Sequence, residues 1–218
     1  MSQSSLETRV ESRIPPIAAV LVMLLLVTSL PSRYQLIGSW FPYVAGAFVI
    51  GAMLAVAFTP GNRFYATAER WILFFFSGLA IVVNGAALAQ LAADMVTRRH
   101  DFASVTLLES SIEIWFGNII VFSLIYWQLD SGGPQNRVAA VGIPDFHFKE
   151  ADHWGPRPIT GKPSFLDYLF LSFTVATSFT AAEPRPLTGR AQLLMMLETL
   201  ISLTTLFVVA ARAIATLS

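Results

Sequence analysis

The chain has 218 residues, of which 55% are hydrophobic and only 13% charged, and its formal net charge is zero. This composition is typical of an integral membrane protein and excludes the ordinary soluble classes. The lack of cysteine excludes disulfides, thiolate catalysis and cysteine-bound metals, and the lack of a basic run beyond Arg98-Arg99 argues against a nucleic-acid partner.

Four apolar runs follow a polar N-terminal tail of residues 1–13, and each is long enough to cross a bilayer. They cover residues 14–30, 40–59, 71–95 and 107–129, and a further run covers 191–217. We expect residues 14–129 to form four transmembrane helices in the lipid bilayer of the bacterial inner membrane. Aromatic residues near the ends of these runs are expected in the headgroup belt: Trp40, Tyr43, Trp71, Tyr126 and Trp127.

A polar stretch rich in glycine, proline and charge covers residues 130–163. We expect a loop or small cap, and its aromatic residues Phe146, Phe148 and Trp154 indicate that part of it packs against the protein. Its side chains of metal-ligand type match no tight motif, so we expect a solvated acidic loop and no metal site. They are Asp145, His147, Glu150, Asp152 and His153.

The region 164–218 contains a short apolar stretch, a hydroxyl-rich stretch and a long apolar run. The first stretch, 165–176, makes roughly 18 Å of helix, which crosses only about half of a bilayer core of roughly 30 Å. We therefore expect a re-entrant half-helix, followed by backbone that is buried or lines a wet cavity. The alternative is that 165–182 is a further spanning helix. The expected fold is an all-α membrane protein with about five transmembrane helices plus one re-entrant half-helix, or with six transmembrane helices.

Short motifs in residues 165–214 resemble the pore module of two-transmembrane bacterial potassium channels. D-Y-L-F-L-S-F-T at 167–174 is similar to the pore helix of that family, and L-T-G-R at 187–190 is similar to its post-filter sequence. L-E-T-L-I at 197–201 and V-A-A-R at 209–212 are similar to its inner helix. The resemblance implies a homotetramer in which four copies of the module surround an ion pore, with the run 107–129 as outer helix.

On this alignment the segment T-S-F-T-A-A-E stands where that family has T-T-V-G-Y-G-D, so both filter glycines are absent. The filter backbone relies on glycine for left-handed conformations, which β-branched Thr180 tolerates badly. We therefore expect a weakly selective or non-potassium cation pore lined by hydroxyls, with Glu183 as a charged ring and no cofactor besides a permeant cation. The expected filter residues are Thr177, Ser178, Phe179, Thr180, Ala181, Ala182 and Glu183.

A second resemblance covers more of the chain. The motifs S-G-G-P at 131–134, P-D-F at 144–146 and F-T-V-A-T-S-F at 173–179 are similar to those of a bacterial family of uncharacterised integral membrane proteins. This resemblance implies that the spans and the polar loop form one inherited unit, with the hydroxyl-rich segment at its centre.

Three polar residues within the apolar runs are expected to support the filter segment. On the channel resemblance, Glu198 sits behind the pore helix, where it would hydrogen-bond the filter segment. Glu113, one turn after Glu109, is costly in lipid and should face protein or water, and Asn118 lies deeper on the same helix.

Two other functions stay open at this point. One is a non-conducting membrane scaffold or partner-binding protein with a degenerate pore loop, and the other is a proton or small-solute transporter that works through Glu113 and Asn118. We do not expect an enzyme, because H-E-x-x-H and G-x-S-x-G motifs are absent and all three histidines lie outside the apolar runs.

The two fold alternatives predict different orientations. With five crossings, ten of the 14 lysines and arginines lie on the side of the N-terminus and the filter segment, which the positive-inside rule assigns to the cytoplasm. A potassium-channel pore faces the other way. With six crossings, both termini lie in the cytoplasm.

Overall fold

The computed structural model describes residues 11–31, 38, 40–59, 61–96, 104–139, 142–148, 162–177 and 184–217. These residues form helices α1 (Ile14–Ser29), α2 (Phe41–Phe58), α3 (Arg63–Val96), α4 (Ser104–Leu129), α5 (Pro134–Ala139), α6 (Phe165–Thr177) and α7 (Gly189–Leu217). Two short strands, β1 (Phe146–His147) and β2 (Arg185–Pro186), pair antiparallel, with Phe146 opposite Pro186. The chain is an all-α membrane protein apart from this short ladder.

Within the described ranges, four helices are long and apolar enough to cross a membrane: Phe41–Phe58, Arg63–Ala93, Leu108–Gly132 and Gly189–Ala211. The sequence predicted a fifth spanning helix at residues 14–30. The helix found there, α1, has only 16 residues, or about 24 Å, because it begins at prolines in its first turn and ends just before Pro31.

Helix α4 is the centre of the bundle, since 67% of its span is buried whereas the other three spans are at most 28% buried. It packs against α1, α3, α6 and α7. Its last two aromatic residues, Tyr126 and Trp127, are fully buried, so their predicted place in the headgroup belt is wrong. The N-terminal tail and the polar loop cover them. Trp40, Tyr43 and Trp71 are exposed, as a belt residue has to be.

The two ends of the bundle are defined by contacts between helices. At the upper end, Arg13 pairs with Glu69, and Arg70 donates a hydrogen bond to the carbonyl of Gly132. At the lower end, Leu30 packs with Leu91 in a separate apolar cluster. Helices α1 and α3 therefore run downward, and α4 returns to the upper end. Helix α2 also returns there, because it ends where α3 begins.

Helix α6 enters the bundle from the upper end and stops near its middle. Its first residue, Phe165, stacks edge-on against Trp127, and further along Ser172 donates a hydrogen bond of 2.8 Å to the carbonyl of Ile119. Phe173 lies against Trp115, which is deeper still on α4. The helix therefore runs antiparallel to α4, and its 13 residues measure about 20 Å.

The chain then comes back to the upper end. Strand β2 pairs with β1, whose Phe146 amide bonds to Asp130 at the end of α4. Helix α7 starts beside it and descends past Asn118 to the lower cluster, which Val208 contacts. The expected all-α membrane fold is confirmed. Helix α6, with 13 residues, is too short to cross a bilayer by itself, as a re-entrant half-helix has to be, and the number of crossings, five or six, stays a prediction.

Candidate functional site: the half-helix α6 and its anchors

One face of helix α6 packs against the protein, and the opposite face is exposed. Its buried residues face α4 and α7 and are Phe165, Tyr168, Leu171, Ser172, Thr174 and Ala176. Leu166, Phe170 and Phe173 form an exposed apolar stripe on the other side. The Asp167 carboxylate caps the start of the helix, because it accepts hydrogen bonds from the Ser164 amide and hydroxyl, at 2.7 and 2.8 Å. The cap fixes where the half-helix begins.

Asp130, at the upper end of α4, is a buried junction between three elements. One of its carboxylate oxygens accepts hydrogen bonds from the backbone amides of Asp145 and Phe146, at 2.7 and 3.3 Å. The other accepts a hydrogen bond of 2.5 Å from the Tyr168 hydroxyl of α6. One side chain therefore joins α4, the polar loop and the half-helix.

Arg137 of α5 is a buried cation that holds the same junction. It donates to the carbonyl oxygens of Trp127 and Asp130, at 2.7 and 3.0 Å, and to the Glu11 carboxylate, at 3.2 and 3.0 Å. Its guanidinium lies 5.0 Å from the centre of the Tyr168 ring, a cation–π contact. The N-terminal tail is thereby tied to the start of α6.

Asp145 anchors the other end of the re-entrant segment. Its carboxylate is fully buried and accepts two hydrogen bonds from Arg190, at 2.6 and 2.7 Å, and one from the Thr188 hydroxyl, at 2.5 Å. Its carbonyl accepts a hydrogen bond from the Leu187 amide. The prediction of a solvated acidic loop is wrong for Asp145, because its charge is used to bind the L-T-G-R motif. His147 of the same loop is exposed, and Glu150, Asp152 and His153 lie outside the described residues.

The polar loop also packs as predicted from its aromatic residues. Phe146 is buried between Tyr126 and Tyr168, and Phe148 stacks edge-on against Tyr168. Gly142 lies so close to the Ser131 carbonyl that a Cβ there has no room. Trp154 falls outside the described residues.

Glu198 of α7 lies directly behind α6, about one helical turn below the upper anchors. It accepts a hydrogen bond of 2.5 Å from the Tyr126 hydroxyl, and its other oxygen contacts the hydroxyl of Ser172. All three side chains are fully buried. We call Tyr126, Ser172 and Glu198 the central triad, because it joins α4, α6 and α7 at a single point.

The remaining supporting candidates lie at different depths. Asn118 is fully buried and donates a hydrogen bond of 2.8 Å to Ser202 of α7, while its carbonyl oxygen has no partner. Glu113 is half-buried and Glu109 is exposed. The structure therefore places Glu198 of α7 against α4 and α6, and Asn118 of α4 against α7, whereas Glu113 lies nearer the lower end of α4.

Of the expected filter residues, Thr177 is the only one among the described residues. It ends α6, and its hydroxyl donates to the carbonyls of Phe173 and Thr174 in its own helix. Ser178, Phe179, Thr180, Ala181, Ala182 and Glu183 lie outside the described residues. The structure thus fixes both ends of the hydroxyl-rich segment, at Thr177 in the middle of the bundle and at Arg185 at its upper end.

Sequence reasoning missed the upper anchors Asp130, Arg137 and Glu11. The signal was present in the S-G-G-P motif, because Ser131, Gly132 and Gly133 adopt φ values of 56°, 76° and 107°. Such a run of left-handed residues turns the chain sharply and favours glycine. A sharp turn directly after Asp130 directs the following loop back over the end of α4.

No protein-family model, curated protein or solved structure matches the chain. The resemblance of residues 165–214 to potassium-channel pore modules accordingly stays a prediction from its motifs, as does the resemblance to uncharacterised bacterial membrane proteins.

Proposed function

We propose that the protein is an ion-channel-like membrane protein of the bacterial inner membrane that forms a weakly selective or non-potassium cation pore. The observation that carries the proposal is the path of the chain around α6. A half-helix descends to the middle of the bundle and ends at Thr177, and the described chain resumes at Pro184 at the upper end. Irregular backbone at such a depth is tolerated where it is buried in protein or lines a wet cavity.

The direction of α6 favours a cation. Its C-terminal end points toward the middle of the bundle, and a helix carries about half a negative charge at that end. The hydroxyls of Thr177, Ser178 and Thr180 follow directly and supply oxygen ligands. Glu183 adds a carboxylate near the end of the same segment of the sequence. The negative end of the helix and the carboxylate attract cations and repel anions, and the hydroxyl oxygens can coordinate a cation.

A complete pore needs more than one copy of the chain. The inward face of α6 is closed by α4 and α7, and the central triad bonds the three helices together, so an ion has no room between them. Helix α7 also presents exposed apolar side chains along its length, among them Leu193, Met196, Leu200 and Phe207. We propose a homotetramer in which these faces and the exposed stripe of α6 pack against neighbouring copies.

The rigid anchors support a filter role for the segment between them. The Ser164–Asp167 cap, the Asp130–Tyr168 bond and the central triad hold its first end, and the Asp145–Arg190 pair holds its second. A selective site requires ligands held in place by such supporting bonds. Glu198 is a positioning residue in this proposal, because it touches α6 and not the permeant ion.

Ion flux from purified protein in liposomes tests the proposal, with sodium, potassium and chloride gradients. We expect cation flux from the wild type and its loss when residues 177–180 are all alanine. Thr67→Ala is the matched control, because this exposed hydroxyl on α3 bonds to the carbonyl of Arg63 in its own helix and lies outside the proposed interface. Glu183→Gln should lower the permeability ratio of cation to anion. Flux that persists in the 177–180 variant would contradict the proposed filter.

A non-conducting scaffold is the second candidate. The closed packing of α6 within one chain favours it, because every inward polar group of the central triad is already bonded. The scaffold predicts that the folded protein gives no ion flux under any of the gradients. A particle that proves monomeric in crosslinking would support the scaffold and contradict the tetrameric pore.

A further inference from the structure

A cavity of about 130 Å³ lies between α1, α2, α3 and α4, on the side of α4 that faces away from the central triad. Its wall is almost entirely apolar and includes Met23, Leu24, Val49, Phe76 and Leu124. A closed apolar cavity of roughly 150 Å³ accommodates a benzene molecule in other proteins. The space is therefore right for a ring-sized apolar group.

Small side chains on two of the helices leave this space open. Ala45 lies on α2, and Ala80 and Ala87 lie two turns apart on the same face of α3. Several residues of the wall are only half-buried, so the cavity is open on one side. A ligand with an apolar tail has a way out of the bundle toward the lipid.

The wall carries one polar group whose bonding is incomplete. Asn84 is 4% exposed and lines the cavity, and its amide nitrogen has no hydrogen-bond partner. Ser77, the other polar side chain of the lining, lies two helical turns earlier on the same face of α3. An unpaired buried N–H group is unfavourable, and it is satisfied by an oxygen that accepts a hydrogen bond.

Water is a poor occupant here. A buried water needs two to four polar partners, and two side chains that stand about 10 Å apart along α3 do not supply them at one point. An apolar ligand that carries one oxygen meets both requirements of the site, because it fills the apolar space and accepts a hydrogen bond from Asn84.

The depth of Asn84 restricts where that oxygen comes from. The α3 span Arg63–Ala93 has 31 residues, so Asn84 lies about 9 Å along the helix from its midpoint. The hydrocarbon core extends about 15 Å from the bilayer centre. The acceptor is thus held within the hydrocarbon and below the polar interfacial region.

We propose that this cavity binds a lipid-soluble molecule whose ring-sized apolar head carries a carbonyl oxygen, and that Asn84 donates a hydrogen bond to that oxygen. Lipid-soluble quinones and cyclic ketones have this chemistry. The apolar walls accept the ring, and the open side of the cavity accepts the tail. The proposal is independent of ion conduction.

The test is a binding titration of the full-length protein in lipid nanodiscs, read by native mass spectrometry. The probes are decyl-1,4-benzoquinone and decylbenzene, which share ring and tail but differ in the carbonyl groups. Covalent addition of the quinone to thiols does not arise, because the chain has no cysteine. We expect the quinone to bind about 5- to 10-fold more tightly than decylbenzene, the gain from one buried hydrogen bond.

Three variants separate the parts of the proposal. Asn84→Leu should remove the preference for the quinone while decylbenzene still binds, and Ala80→Phe should abolish binding of both probes by filling the cavity. Ala45→Leu fills the same space from α2, so the result does not depend on the folding of one variant. Gln90→Leu is the matched control, an amide on α3 outside the lining, and should change neither affinity.

Each opposite result overturns a stated part. Equal affinity of the wild type for the two probes would show that no carbonyl is recognised. A preference that survives Asn84→Leu would show that Asn84 is not the donor. Unchanged binding in both filled variants would place the ligand elsewhere. The ligand-free Asn84→Leu protein should be no less stable than the wild type, and a clear loss of stability would mean that the amide is bonded within the fold.

Discussion

Asp145 and Arg190 form a two-point ion pair in which the carboxylate is fully buried while about half of the arginine side chain is exposed. The pair joins the polar loop to the first turn of α7, so it closes the re-entrant segment at the point where the chain returns to the upper end. The exposed guanidinium keeps part of its hydration, and the carboxylate depends on its protein partners.

Asp145→Asn should loosen this return point. The substitution keeps the size of the side chain and removes the charge, and charge-assisted hydrogen bonds contribute about 1.5–3 kcal/mol, with the lower value expected because Arg190 is half exposed. Hydrogen exchange of the backbone amides of residues 185–192 should become faster. Glu109→Gln is the control, because Glu109 is exposed on α4 and the same amides should not respond. Unchanged exchange in Asp145→Asn would mean that β-pairing alone holds the segment.

The hydrogen bonds of the central triad predict that two substitutions of Glu198 differ in their effect on stability. A glutamine oxygen can accept from Tyr126, and its amide can donate to Ser172, whose own hydrogen then goes to the Ile119 carbonyl. Glu198→Gln should therefore change the free energy of unfolding by less than about 1 kcal/mol. Glu198→Leu leaves two buried hydroxyls without this partner and should cost about 2–4 kcal/mol. Thermal unfolding in detergent measures both, and equal stability of the two variants would contradict the bonding scheme.

The buried pair of Arg13 and Glu69 predicts non-additive substitutions. Both side chains are at most 2% exposed, and their charged atoms are 3.4 Å apart. Glu69→Leu leaves a buried guanidinium unpaired and should destabilise the protein by about 3–5 kcal/mol, whereas the double variant Arg13→Met/Glu69→Leu should recover most of the loss. Chemical unfolding of the two variants measures the difference. Arg63→Met, at an exposed position, should have an effect below about 0.5 kcal/mol. A double variant as unstable as Glu69→Leu would contradict the interpretation.

The half-helix could be predicted from the sequence because the length of the apolar stretch decides whether a helix can cross the bilayer. An apolar stretch that ends near residue 176, followed closely by Glu183 and Pro184, is too short to cross a bilayer. The position of Glu198 behind this helix could be inferred from motif order. Each of these signals is local, or lies in one short region of the chain.

The upper anchors could not be predicted because their partners are distant in sequence. Asp130 and Tyr168 are 38 residues apart, and Arg137 and Glu11 are 126 apart. A carboxylate just after an apolar run resembles an interfacial charge, and Trp127 at the end of a run resembles a belt residue. Only the loop that folds over α4 makes these groups buried, and its turn depends on Ser131, Gly132 and Gly133.

The central claim is that α6 is a re-entrant half-helix. It is tested most directly by determining which side of the membrane each end of the re-entrant segment faces. Single cysteines are introduced at exposed positions by Lys162→Cys and Leu187→Cys, with Asn62→Cys as the upper-end control and Ser29→Cys as the lower-end control. The natural chain has no cysteine, so only the new thiol reacts with a membrane-impermeant maleimide in sealed vesicles. Positions 162 and 187 should be labelled from the same side as 62 and from the side opposite to 29. Labelling of 162 and 187 from opposite sides would show that α6 belongs to a spanning segment, and it would remove the basis for a pore built on a re-entrant half-helix.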